Sequence, residues 1–146
     1  MALDGSLSDR HQFLLRRIQS HIRWLEKQIE EIDGQIVAAM GPYTEEWHLV
    51  QTIPGFDKIG AAMLLAEIGV DMSRFGNGDR LSSWVGMCPG NNESAGKKKS
   101  GRTRKGNKYV RQILCEAANS ASKTECQFKG IYRGLVIRRG NNRAIV

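Results

Sequence analysis

The residues of this chain best suited to chemistry fall in one short stretch. Lys97, Lys98, Lys99, Arg102, Arg104, Lys105, Lys108 and Arg111 put eight positive charges into fifteen residues, with no acid among them. The whole chain of 146 residues carries a net +7, from 22 Lys and Arg against 15 Asp and Glu. The surplus is therefore a local feature, and it points to a polyanionic partner, nucleic acid before an anionic membrane. Glycines and serines separate the cations, which suits a strap laid along phosphates, where backbone amides and hydroxyls add contacts. Binding of this kind falls steeply with salt, because neutralised phosphates release counterions. A solvated loop that touches nothing would have the same composition. Arg133, Arg138, Arg139 and Arg143 carry positive charge on toward the last residues.

Ser94 stands just ahead of the strap, in Asn92-Glu93-Ser94-Ala95-Gly96. A hydroxyl beside concentrated cations can attack a phosphodiester while the cations stabilise the pentacoordinate phosphorus. Most loop serines only form turns, and spacing assigns no His or Lys as its base. Metal chemistry is not expected from the other reactive side chains. Cys88, Cys115 and Cys126 are odd in number and form no CxxC pair, and His11, His21 and His48 do not cluster with them. Reduced thiols in the cytoplasm are the expectation. The first residues lack the basic start and apolar core of a signal peptide. The longest apolar run, Ala61 to Ala66, is too short for a bilayer, so no membrane role is expected.

Helices must position these residues. Leu15, Ile18, Ile22, Leu25, Ile29, Ile32 and Ile36 alternate steps of three and four, the seam of a heptad repeat. Ser8 or Asp9 can cap that helix, and Gly41-Pro42 stops it. One apolar stripe cannot bury itself. It is either a core helix of this chain or a pairing element between copies. Residues 43–50, with Trp47, predict a second short helix. In residues 51–69 a Pro54-Gly55 turn leads into a helix starting near Lys58, similar to a helix-hairpin-helix whose helix N-terminus can approach a phosphate. Asp57 stands where that motif has its second glycine, and an acid there would repel phosphate. The hairpin is therefore open to a direct DNA contact, with Lys58, or to a structural role. Residues 73–78 predict a turn, with Asp79 capping a short helix through Trp84. Residues 86–107 read as a loop, followed by helices over about 107–122 and 128–139 and an interrupted end, 141–146. The fold class is mainly α: a coiled-coil helix over 8–42, then a small helical domain over 43–146 with a hairpin-like element and a basic loop.

Three blocks, TIPGFDKIGAAMLLAEIG, RFGNGDRLSSWVGMCPG and ESAGKKKSGRTRKGNKYVRQILCEAA, occur in that order. They resemble the C-terminal transposase domain of the DEDD-type insertion-sequence transposases, over roughly 45–146, and residues 8–40 fit the coiled-coil link before that domain. The resemblance implies a RuvC-like nuclease domain elsewhere in the complete protein, with four carboxylates for Mg²⁺, and a chain truncated at both ends. It also implies DNA as partner, a guide RNA, and recombination by a serine nucleophile, while the uncovered heptad seam predicts a homo-oligomer through the coiled coil. Ser94 matches that serine, lying between Gly86-Met87-Cys88-Pro89 and Gly101-Arg102-Thr103-Arg104-Lys105-Gly106-Asn107. Ala95 departs from the glycine usual after it, and Ser100 is the fallback. No carboxylate set for a metal is recognisable here, so no cofactor is expected in this chain. A non-catalytic helix-hairpin-helix DNA-binding module is the alternative, and a coiled-coil adaptor with an incidental basic loop is a third reading.

Overall fold

The computed structural model describes residues 5, 7–88, 92–94, 96–100 and 103–146, with 92–94 and 97–100 as backbone. The chain divides into two units, Met1–Ala39 and Met40–Val146.

The first unit is one helix, α1 (Asp9–Ala39), of 31 residues and so about 46 Å long. Its start is fixed by Ser8, whose carbonyl accepts from the amide of Gln12. The Ser8 hydroxyl lies 2.9 Å from His11 Nδ1, and that nitrogen also takes the Ser8 amide at 3.3 Å. This reciprocal contact resembles the return arm of a capping box. No residue of α1 is buried. Ile18, Ile29 and Ile32 are each more than half exposed, and so are Phe13 and Trp24 outside the seam. The amphipathic pattern thus gives the helix its shape without covering its apolar face.

The second unit is built from α2 (Thr44–Gln51), α3 (Lys58–Ile68), α4 (Gly78–Val85), a hairpin of β1 (Asn92–Ser94) and β2 (Lys97–Ser100), then α5 (Lys108–Lys123), α6 (Gln127–Arg139) and α7 (Asn141–Ile145). Single 3₁₀ turns at Gly41–Tyr43 and Met72–Arg74 lead into α2 and α4. The expected mainly α class holds. Two local expectations need correction. The segment 86–107 is not loop throughout, because β1 and β2 pair antiparallel within it. The cap of α4 is Asn77, whose side chain accepts from the Arg80 amide at 2.9 Å. Asp79 lies inside the first turn instead, where its charge favours the helix dipole without capping.

The core sits where α3, α4 and α5 meet. Leu64, Ile68, Val85, Val110 and Ile113 form its buried centre, with Phe56, Phe75 and Leu114 packed around it. Small residues on α3 and α5 let helices approach closely: Ala61, Ala62, Ala117 and Ala121 are all buried. Trp47 joins α2 to α3, donating from Nε1 to the carbonyl of Lys58 at 2.8 Å. That bond supplies the polar partner a buried indole needs.

Gly55, at φ +98°, lies against α5. A Cβ there would stand 2.0 Å from the Ala117 carbonyl oxygen and 3.1 Å from the Ala121 amide nitrogen. Gly55→Ala should cost roughly 2–4 kcal/mol through backbone strain and overpacking together. Gly130→Ala, in α6 with nothing within 4 Å of the new methyl, should instead gain up to about 1 kcal/mol. Thermal unfolding of the two variants checks both signs; an unchanged melting temperature in Gly55→Ala would mean that the turn does not rest on α5.

Candidate nucleic-acid interface

The basic strap is an excursion whose two ends meet. α4 ends at Gly86, which takes a left-handed conformation at φ +79° and donates its amide to the Ser83 carbonyl. The chain returns at Gly106. A Cβ on Gly86 would lie 2.6 Å from the Arg104 carbonyl oxygen and 2.8 Å from the Gly106 nitrogen. A Cβ on Gly106 would lie 2.3 Å from both the carbonyl carbon and the oxygen of Val85. Backbone rests directly on backbone here, and only glycine fits on either side. The amide of Asn107 closes the contact by donating to the Trp84 carbonyl at 3.4 Å.

The Asn107 side chain makes three further hydrogen bonds. Its Oδ1 accepts from the amides of Tyr109 and Val110, at 2.9 and 3.1 Å, which caps α5. Its Nδ2 donates to Glu67 Oε2 at 2.8 Å, tying the start of α5 to the last turn of α3. Glu67 is unfavourably placed for the dipole of its own helix, but its charge lies beside the N-terminus of α5, where a negative charge is stabilised.

Within the excursion, β1 and β2 are in register as Ser94 opposite Lys97, Glu93 opposite Lys98 and Asn92 opposite Ser100, with an irregularity between Asn92 and Glu93. Ser94 is thus the last residue of β1, separated from Lys97 by a two-residue connection that includes Gly96 at φ +71°. Ser94 lies at the turn end of the hairpin and Ser100 at its open end. Lys97, Lys98 and Lys99 follow one another along β2, and Arg102 lies outside the described residues. Arg104 and Lys105 are exposed on the return limb. Lys108 opens α5 with its ammonium 5.1 Å from the centre of the exposed Tyr109 ring, and Arg111 is half-buried one turn on. Among the described residues the ion pairs are Lys27–Glu31 and Glu125–Lys129, and neither involves Arg104, Lys105, Lys108 or Arg111.

Lys58 is set apart. It is the first residue of α3, and Glu67 is at the other end, about 14 Å along the axis. Asp57 caps α3 by accepting from the Gly60 amide at 2.7 Å. The helix N-terminus that a phosphate would approach already has a carboxylate on it. With Gly55 packed on α5, both special residues of the turn have partners inside the domain.

The apolar groove of about 260 Å³ between the Pro54 turn, α5, α6 and α7 contains none of the candidate residues; Ile53, Leu114, Phe128, Ile131 and Ile145 line it. Among the described residues no three His, Cys, Asp or Glu come together to hold a metal ion, and no helix is long and apolar enough to cross a membrane. What sequence reasoning missed is the base of the strap. Gly86 and Gly106 flank it, and Asn107 stands just before a helical period; together these are punctuation signals legible in sequence.

Fold and site together define a mainly helical domain with a cation-rich segment between α4 and α5. Residues 47–133 match the Transposase IS116/IS110/IS902 family, and the chain belongs to that family. It is 30% identical over 113 residues to the transposase for insertion sequence element IS1111A of Coxiella burnetii (strain RSA 493 / Nine Mile phase I), a match covering 74% of this chain and 31% of that protein. It is 31% identical over 121 residues to the putative transposase y4pF/y4sB of Sinorhizobium fredii (strain NBRC 101917 / NGR234), covering 82% of this chain and 31% of that protein. The matches thus span about a third of the length of these relatives. No solved structure matches the chain.

Proposed function

We propose that this chain is the DNA-handling domain of a transposase that recombines DNA by serine attack, with Ser94 as the nucleophile and the strap as its phosphate contact. The observation that carries the reading is the hairpin register in a chain of transposase family, with Ser94 opposite Lys97 at the turn of a polycationic arm. In the proposed step the Ser94 oxygen bonds to phosphorus and one bridging ester oxygen leaves. The leaving oxygen takes up a proton, balancing the one lost from the hydroxyl. The phosphate stays joined to the protein, so the bond energy is kept for rejoining a strand. Cations of the strap stabilise the charge that builds on the phosphoryl oxygens.

Mg²⁺ belongs to this reading as a property of the complete protein, held by carboxylates of a RuvC-like domain outside residues 1–146. The described residues of this chain do not build such a site. Residues 1–146 alone bind DNA without cutting it. A guide RNA is a further partner that the family resemblance supplies for the complete protein, in the cytoplasm. The hairpin of α2 and α3 has a structural role, because Asp57 and Gly55 are engaged within the domain. A homo-oligomer through α1 completes the reading. Its seam has no charged residue at any of seven positions, and each side chain contributes ~1.5–3 kcal/mol on full burial.

Three measurements test these parts separately. Light scattering at micromolar concentration should show a dimer or larger species for the parent and dissociation for Ile29→Asp; a parent that is already monomeric ends the assembly claim. Replacing Lys97, Lys98 and Lys99 together by Ala should weaken DNA binding and reduce the salt slope by up to about 3, one for each phosphate no longer neutralised. If the triple variant binds like the parent at every salt concentration, the strap is not the footprint. In the complete transposase, Ser94→Ala should fold and bind DNA but neither cut nor join, while the parent leaves a DNA end attached to Ser94 that mass spectrometry can map. An adduct on Ser100, or cleavage by Ser94→Ala, would move the nucleophile elsewhere.

A further inference from the structure

We infer that Glu67 and Asn107, with the Gly86–Gly106 contact, form a fixed mount for the basic arm, and that Glu67 is a positioning residue for DNA engagement although it carries the wrong charge to touch phosphate. The inference rests on the arm being the DNA contact, as proposed above. Four observations converge on it. The excursion leaves α4 at Gly86 and returns at Gly106, where the two backbones touch with no room for a methyl on either. The Asn107 amide ties the returning strand to the Trp84 carbonyl. The Asn107 side chain spends its oxygen on the N-terminus of α5 and its amide group on Glu67. Glu67 in turn belongs to α3, which contributes Leu64 and Ile68 to the buried core.

The two ends of the arm are therefore held by groups in or directly beside three helices of the scaffold, α3, α4 and α5. An arm held this way loses less freedom when it binds than a free loop of the same charge. A carboxylate within the base of a polycationic segment would otherwise only weaken phosphate binding. Its hydrogen bond to Asn107 gives it a different task.

The bond can be reversed without removing the cap. Asn107→Asp keeps an oxygen for the Tyr109 and Val110 amides but cannot donate to Glu67, and it sets two carboxylates against each other. Glu67→Gln in the same chain restores a donor on the opposite side. Two readouts on the full chain separate the mount from the function. Hydrogen exchange at the amides of Gly86, Met87 and Asn107 reports the mount alone; DNA affinity at fixed salt reports its use. For Asn107→Asp we expect exchange at these amides to quicken roughly fivefold to tenfold, the range of one missing hydrogen bond, and DNA affinity to fall by a similar factor. Amides in the middle of α5 should be unchanged, showing that the domain is folded. The double variant should recover both. Faster exchange with no loss of affinity would refute the positioning role and leave the mount standing. Exchange that does not change, or does not recover in the double variant, would refute the mount itself. If the parent binds no DNA at low salt, the functional reading fails while the exchange results still decide whether the mount exists.

Discussion

A contact between two backbones, with no side chain between them, organises the second unit. Where Gly86 meets Gly106, the end of α4 and the approach to α5 share a space that even one methyl group would overfill. The elements on either side are arranged around this constraint. α4 must stop at Gly86, because its left-handed conformation turns the chain outward. α5 must start at Lys108, because Asn107 is held by the Trp84 carbonyl on one side and by Glu67 on the other. Val85 and Val110, the largest fully buried side chains, lie close to the two ends of the excursion. The core is thus sealed directly below the point where the arm departs.

This arrangement separates two demands that conflict. A cluster of cations binds a polyanion well, but like charges held close together destabilise a compact domain. Here the cations from Lys97 to Lys105 lie on the excursion, while the buried set among the described residues contains no polar or charged side chain. Lys108 and Arg111 are the exceptions. They sit in the first turns of α5, where a positive charge opposes the helix dipole. Asn107 and the nearby Glu67 carboxylate offset that cost. A charge pattern unfavourable for the helix is tolerated where the same helix end is capped and has an acid beside it.

Helix existence is legible in the sequence wherever a period runs long enough. The seam from Leu15 to Ile36 and the apolar face through Val110, Ile113 and Ala117 each predict a helix within about three residues of its observed bounds. Hairpin β1–β2 is not legible, because Lys97-Lys98-Lys99 has no alternation of apolar and polar residues from which a strand could be read. The cap of α4 falls two residues earlier than expected, since Asn77 and Asp79 are equally good capping types and only the backbone decides between them. In the candidate site, the cations and Ser94 are visible as types. The role of Gly55 is not, because a glycine beside proline announces a turn without saying what the turn faces. Its neighbour is α5, about sixty residues further on, and nothing local to the turn encodes that.

The difference between a residue's type and its surroundings also decides what the hairpin of α2 and α3 does. A glycine turn at a helix N-terminus is free to bind a phosphate only if its amides are unoccupied and its surface is open. In this chain the Asp57 carboxylate takes the Gly60 amide, and Gly55 is pressed on the carbonyl of Ala117. One of the free amides at the start of α3 is thus taken from inside the domain, and the glycine is fixed by what it faces. The turn spaces α3 from α5, and that spacing brings Glu67, at the far end of α3, within hydrogen-bond reach of Asn107. The contacts recorded for this turn are internal ones: Asp57 caps α3, and Gly55 sets how closely the turn approaches α5.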